Sequence, residues 1–124
     1  MITKNKETGQ LGETLAANYL QENGWEIRDR NWQFKQWELD LVAQKEHLLI
    51  FCEVKTMEFG FVLPPTQKLG RSKFRALMQG ADAWLHQHGF WGEIRFDLIY
   101  VLLHKRPADI LHYQDVWFPN NWGR

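Results

Sequence analysis

The segment 48–56, LLIFCEVKT, constrains the fold most because it begins apolar on both of its faces. Successive side chains of a strand point to opposite faces. A strand with two apolar faces is covered on both sides, which is typical of the centre of an α/β sheet. The apolar segment 38–43, ELDLVA, precedes it across a polar turn at 44–47, so the two segments predict a β-hairpin.

Two amphipathic segments and three further strand-like segments surround this hairpin. Helices are predicted at 8–23 and 69–88, each followed by a glycine. Strands are predicted at 25–32, 94–103 and 110–113. The order α-β-β-β-α-β-β predicts an α/β fold with a mixed central sheet of about five strands flanked by helices.

Length and composition predict one domain without a strong overall charge. The 124 residues suffice for a single core and contain no long linker, so we expect one domain over residues 1–124. Fifteen basic and fifteen acidic side chains cancel, which excludes a strongly basic nucleic-acid binder and leaves only a local basic patch.

The sequence predicts a cytoplasmic protein without a membrane partner. Cys52 is the single cysteine, so no internal disulfide can form, which fits a reducing compartment. The polar N-terminus lacks the apolar core of a signal peptide. The longest apolar run, 98–103, is too short to cross a bilayer.

Acidic residues lie inside both strands of the predicted hairpin. Strict alternation places Glu53 and Lys55 with Leu49 and Phe51 on one face of the second strand. On the first strand it predicts two sets: Glu38, Asp40 and Val42 on one face, and Leu39, Leu41 and Ala43 on the other. A register that buries the leucines brings Asp40 and Glu53 to the same face.

Two carboxylates that converge in a partly buried place repel each other, and desolvation raises that cost. A divalent cation removes the repulsion, and the hard oxygen ligands of Asp40 and Glu53 predict Mg²⁺ or Mn²⁺. Zinc is disfavoured because His86 and His88 point apart on a helix and Cys52 faces away from the acids.

The two predicted helices contribute further charged candidates. Glu13 lies at the edge of the apolar arc of the first helix, and Lys73 lies near the inward-facing arc of the second. Lys68, Arg71 and Arg75 form a basic stripe on another arc. The sequence leaves a structural alternative open for each. Glu13 would then be an acid favoured by the helix dipole, Lys73 a lysine with a buried stem, and the basic stripe a solvated face.

The order Glu13, Asp40, Glu53, Lys55 resembles the PD-(D/E)xK nuclease pattern. Longer segments resemble the YraN family of small bacterial proteins, which is related to archaeal Holliday-junction resolvases. These segments are LGETLAANYLQENGWEIRDRNW, ELDLVA, LLIFCEVKT, SKFRALMQGADAWL and RFDLIYV. The resemblance runs from about residue 9 to residue 101, which is most of the chain.

The resemblance implies a restriction-endonuclease-like core with a metal-dependent nuclease site. It implies that Asp40, Glu53 and the main-chain carbonyl of Val54 bind the metal, that Lys55 is the catalytic lysine and that Glu13 is the helix acid. Lys73 matches the lysine that opens the second helix of the family. The implied substrate is DNA, whose phosphates Lys68, Arg71, Lys73 and Arg75 would contact, and resolvase relatives imply a homodimer.

The chain departs from this family pattern at two places. Trp37 stands where the family usually has glycine, and Met57 and Glu58 follow the lysine where an arginine is common. These departures favour an alternative function, a non-catalytic module that binds nucleic acid or protein on a nuclease-like fold. An acid/base hydrolase using Asp40 and Glu53 without metal would need a sugar-sized cleft, and nothing in the sequence calls for one.

Overall fold

The computed structural model describes residues 6–58, 71–104 and 106–116, with the side chain of Arg71 excluded. Lys68 and the first two residues of the predicted second helix, Leu69 and Gly70, lie outside these ranges. In the described part of the chain, no helix combines the length and apolar character that crossing a membrane requires.

Two helices and five strands follow one another in the predicted order α-β-β-β-α-β-β. They are α1 Lys6–Glu22, β1 Glu26–Phe34, β2 Trp37–Lys45, β3 Leu48–Met57, α2 Arg71–His88, β4 Glu93–Leu102 and β5 Asp109–Tyr113. After α1 the chain turns through Gly24, whose φ of 92° favours glycine. The hairpin turn is shorter than predicted because Gln44 and Lys45 remain paired with β3.

The five strands form one sheet in the order β1-β2-β3-β4-β5. All neighbours are antiparallel except β3 and β4, which pair in parallel from Leu48↔Glu93 to Met57↔Leu102. The sheet is therefore mixed, and β3 lies at its centre, as its two apolar faces predict. The connection through α2 is what allows β3 and β4 to run in the same direction.

The two helices cover opposite faces of this sheet. The core on the α1 side joins Ala16, Ala17 and Leu20 to Leu41, Ala43, Ile50, Cys52, Ile99 and Val101. The core on the α2 side joins Phe74, Leu77, Ala81 and Trp84 to Leu39, Val42, Leu49, Phe51, Phe96 and Leu98. On β3 the two sets of side chains alternate as the sequence predicts.

The alternation breaks on β2 at Asp40. Leu39 packs in the core on the α2 side, whereas Leu41 packs in the core on the α1 side. The prediction that Leu39, Leu41 and Ala43 share one face is therefore wrong for Leu39. The partner strand is irregular at the same level, because Asn31 of β1 has a φ of 50° and lies between the pairs Arg30↔Leu41 and Trp32↔Leu39.

Candidate functional site

The candidate site lies where β2 separates from β3. Their paired register ends at Leu41↔Cys52, so Asp40 and Glu53 are the first residues beyond it. The Asp40 side chain replaces the lost main-chain partner, because the N–H of Val54 donates to Asp40 Oδ2 over 2.9 Å. The N–H and C=O of one strand residue point to the same neighbouring strand. The carbonyl of Val54 therefore faces the same gap as Asp40.

Burial and repulsion from neighbouring acids both disfavour the charged form of Asp40. Burial of the side chain and the nearby charge of Glu53 raise the pKa of Asp40 to about 7, against a hydrogen bond from Val54 that lowers it. The charges of Glu13 and Glu38 act in the same direction as Glu53. Near neutral pH, Asp40 consequently carries a proton for much of the time, which is unusual for an aspartate on a strand.

Glu53 is buried, and its one ion pair within the described residues comes from α2. Lys73 Nζ lies 3.1 Å from Glu53 Oε2. Burial lowers the pKa of Lys73, but the carboxylate of Glu53 raises it by more. The net pKa is therefore above the ordinary value for lysine. The inward direction predicted for Lys73 is correct for its ammonium group, although 53% of the side chain remains exposed.

Glu13 approaches the same place from α1. Burial raises the pKa of Glu13, a hydrogen bond with the Asn31 side chain and the charge of Arg30 lower it, and Glu38 and Glu53 raise it again. The four acids Glu13, Glu38, Asp40 and Glu53 are therefore close enough to interact, although they come from three different elements. Glu38 is exposed at the rim of this acidic cluster.

A glycine explains how α1 comes so close to the end of β3. A Cβ atom added at Gly12 would lie 1.8 Å from the Oγ1 of Thr56, a distance that no side chain can tolerate. Gly12 immediately precedes Glu13, so this close contact also fixes the position of the helix acid. The motif LGE in the sequence contains this signal, but only the packing shows which strand residue the glycine contacts.

Lys55 lies two residues after Glu53, on the same face of β3. It is partly buried, and in the segments that the structure describes it forms no ion pair. Glu53 and Lys55 follow Phe51 on the α2 side, whereas Thr56 contacts α1 at Gly12. Of these two lysines, Lys73 is paired with Glu53, whereas Lys55 has no ion-pair partner among the described residues.

The predicted DNA-contacting residues have different positions. Lys73 is directed at Glu53, and Arg75 is exposed on α2. Lys68 and the side chain of Arg71 lie outside the described part of the chain. The basic stripe therefore stays a prediction, and Lys73 belongs with the acidic cluster rather than with that stripe.

The donor set suits one hard divalent ion. It consists of two carboxylates, Asp40 and Glu53, and the carbonyl of Val54, and Mg²⁺ sites commonly use one or two carboxylates and keep several waters. Among the described residues, no group of three or more His, Cys, Asp or Glu side chains is arranged to hold a metal ion. The ammonium of Lys73, next to Glu53, already supplies one positive charge at this place.

A second charged network, absent from the predicted site, surrounds Asp97 on β4. Arg95 donates to both carboxylate oxygens at 2.9 Å, and the N–H of Asp115 donates to Oδ1 at 3.0 Å. His112 Nε2 lies 2.8 Å from Oδ2, and its Nδ1 lies 2.9 Å from the hydroxyl of Tyr19. Arg95 and Asp97, which flank Phe96 on β4, thus form a structural ion pair. His112 and Tyr19 had no local signal because they come from β5 and α1.

An apolar cavity lies away from the acidic cluster. It measures about 320 Å³, lies between α2 and β4, and is lined by residues such as Met78, Leu85 and Phe96. None of the four acids contributes to it. We therefore place the candidate site at the carboxylates and lysines rather than in this cavity.

Together these features define an α/β protein whose five-stranded mixed sheet holds an acidic cluster and two lysines where its central hairpin opens. The profile described as "Uncharacterised protein family UPF0102" matches residues 12–101. The chain belongs to this family, which is also the YraN family that the sequence motifs indicate.

Similar proteins from several bacteria extend the match over nearly the whole chain. A UPF0102 protein of Phocaeicola vulgatus is 34% identical over 121 residues, covering 98% of this chain and 100% of the relative. One from Rhodococcus jostii is 37% identical over 118 residues, covering 94% of this chain and 100% of the relative. One from Flavobacterium psychrophilum is 31% identical over 120 residues, covering 94% and 98%.

Proposed function

We propose that this protein is a metal-dependent endonuclease that hydrolyses phosphodiester bonds of DNA, with branched or otherwise structured DNA as the preferred form. The observation that carries the proposal is the pair Asp40 and Glu53 at the opening of the hairpin. Burial and the repulsion from Glu53 raise the pKa of Asp40 to about 7, so the protein keeps two carboxylates together at an electrostatic cost. A divalent cation would relieve that cost.

The roles of the residues follow from their positions. Asp40, Glu53 and the carbonyl of Val54 would hold Mg²⁺ or Mn²⁺. When bound, such an ion lowers the pKa of a coordinated water and neutralises charge on a phosphate. Lys55, whose ammonium has no ion-pair partner among the described residues, would orient the attacking water or stabilise the charge of the pentacovalent phosphate. Glu13 would order the surroundings of the ion.

The decisive experiment follows cleavage of a four-way DNA junction and a supercoiled plasmid in Mn²⁺ or Mg²⁺. We expect the wild-type protein to cut and Asp40→Asn and Lys55→Met to lose at least about a hundredfold in rate, since each removes a group acting in the transition state. Glu26→Gln, an exposed acid on β1, is the matched control and should cut normally. Equal cleavage by Asp40→Asn and wild type would refute the assignment.

The alternative is a binding module that holds nucleic acid or protein without cutting. Trp37, which is on the same strand as Asp40, favours the binding module. Its side chain lines an open groove of about 500 Å³ together with Phe34 and Gln79. Glu58 also favours it, since this exposed acid near the end of β3 would repel a phosphate. Calorimetric titration with Mn²⁺ separates the two functions, because a module without metal chemistry has no need to bind the ion.

A further inference from the structure

We infer that Lys73 has two alternative partners: Glu53 in the free protein, and a DNA phosphate once a divalent cation occupies the acidic cluster. Lys73 would then limit metal binding in the absence of substrate and strengthen DNA binding in its presence. The inference rests on the proposed function, since it assigns regulation to the same site.

The ion pair between Lys73 and Glu53 is unequal in burial. The Lys73 side chain is 53% exposed, whereas that of Glu53 is 12% exposed. Glu53 is fixed within the central strand, which pairs with β4 on one side at this level. Lysine carries its ammonium on a flexible four-carbon stem. If the pair separates, Lys73 moves and Glu53 stays.

Lys73 competes directly with any cation at Glu53. Its Nζ lies within 3.1 Å of Oε2, so a second positive charge at the same oxygen would be repelled. The charges of Asp40 and Glu38 also attract this ammonium group, so it neutralises more of the cluster than Glu53 alone. Binding of a divalent cation therefore requires Lys73 to leave.

The displaced ammonium would stay near the cluster. The backbone of Lys73 is held by α2, whose next residue, Phe74, is buried against Phe96 at a ring distance of 5.1 Å. Lysine binds phosphate as a mobile point charge. A phosphate drawn to the ion between Asp40 and Glu53 would lie within reach of the released side chain.

Calorimetric titration with Mn²⁺ alone, without DNA, tests the first half of this inference. Lys73→Met should bind Mn²⁺ roughly fivefold more tightly than wild type, because partly exposed ion pairs contribute up to about that factor. Lys45→Met is the matched control, because it removes an exposed lysine at the closed end of the hairpin, away from the acidic cluster, and should leave Mn²⁺ binding unchanged. Far-ultraviolet circular dichroism establishes that both variants are folded.

The second half is tested by binding of a four-way DNA junction in Mn²⁺. Lys55→Met serves as the background, because under the proposed mechanism it cleaves at least about a hundredfold more slowly than wild type. Adding Lys73→Met should weaken junction binding several-fold and reduce the salt dependence of that binding by about one phosphate contact.

The outcomes of the two measurements are distinguishable. Unchanged or weaker Mn²⁺ binding by Lys73→Met overturns the inference, even if the wild-type protein cleaves DNA. Tighter Mn²⁺ binding with unchanged junction binding also overturns it, because the two-partner role would then be lost. Tighter Mn²⁺ binding and weaker junction binding support it. If the wild type still fails to cut any DNA, only the nuclease assignment falls.

Discussion

Asp97 and Asp40 lie on strands of the same sheet, and their environments have opposite effects on their charge. Burial would raise the pKa of Asp97, but hydrogen bonds from His112, Arg95 and the Asp115 main chain bring it below the ordinary value. Burial likewise raises the pKa of Asp40, and neighbouring acids raise it further, to about 7. The fold thus stabilises the ionised form of Asp97 and disfavours that of Asp40.

The difference separates an acid that is paired within the fold from one that is a candidate for function. Both oxygens of Asp97 accept hydrogen bonds from groups that belong to the fold, including two from Arg95. Asp40 accepts one from Val54, three neighbouring acids raise its pKa, and within the described residues it forms no ion pair, since the nearby ammonium of Lys73 contacts Glu53. A carboxylate that is buried without a cationic partner is a candidate for binding an external cation. Asp40 is therefore the candidate functional acid, whereas Asp97 supports the sheet.

Removal of the Asp97 side chain is expected to have the largest effect on the free energy of unfolding. Asp97→Ala leaves Arg95 and His112 without their buried partner, and breaking a buried pair of this kind costs about 3–5 kcal/mol. We expect the free energy of unfolding, measured by urea denaturation at pH 7, to fall by that amount. Asp82→Ala, which truncates an exposed aspartate on α2, is the control and should change it little. A loss below about 1 kcal/mol would contradict the structural role of Asp97.

The next effect concerns the contact that positions the helix acid. Gly12→Ala would place a methyl group against Thr56, and overpacking of this kind costs about 1–3 kcal/mol. Gly9→Ala is the matched control on the same helix, because nothing lies within 4 Å of its added Cβ. It should be neutral or stabilising by up to about 1 kcal/mol, as helix propensity predicts. Similar stability of the two variants would show that α1 does not rely on this contact.

The smallest stability effect has the opposite sign and depends on pH. The folded protein retains a proton on Asp40 between about pH 4 and pH 7 that the unfolded chain releases, so this group makes folding less favourable as pH rises through that range. Asp40→Asn removes the charge. Without metal, we expect it to increase the free energy of unfolding by about 1–2 kcal/mol at pH 8.

The gain from Asp40→Asn should disappear below about pH 4, where Asp40 is protonated in both states. Denaturation of both proteins in urea at pH 4 and pH 8 measures this difference, while Glu26→Gln controls for loss of an exposed acid. If Asp40→Asn were destabilising at pH 8, Asp40 would resemble Asp97, and the distinction between the two acids would fail.

Much of the fold could be predicted because its signals are local. The two apolar faces of 48–56 indicate the central strand, and amphipathic periodicity indicates both helices. The unusual environment of the hairpin acids could also be predicted, since carboxylates within apolar strands are costly to bury. The sequence even indicated the inward direction of Lys73, because its position on α2 lies near that of Leu77 and Trp84.

What the sequence could not predict depends on contacts between distant elements. The break in alternation at Asp40 requires an irregular partner strand at Asn31, and period-two reasoning assumes that no such break occurs. The pairing of Asp97 with His112 depends on how β5 lies beside β4. The pKa of Asp40 depends on three other acids, which come from α1, β2 and β3, and no single segment of the sequence contains that arrangement.

The parallel pairing of β3 with β4 has a consequence for studies with fragments. Each residue of β3 is paired with one that lies 45 positions later in the chain, from Leu48↔Glu93 onward. A peptide that stops before Glu93 would contain all four acids and both lysines. Its central strand, however, would lack β4, the neighbour that pairs with it along its full length. During synthesis on the ribosome, the central strand therefore gains its parallel neighbour only after residues 93–102 have been translated.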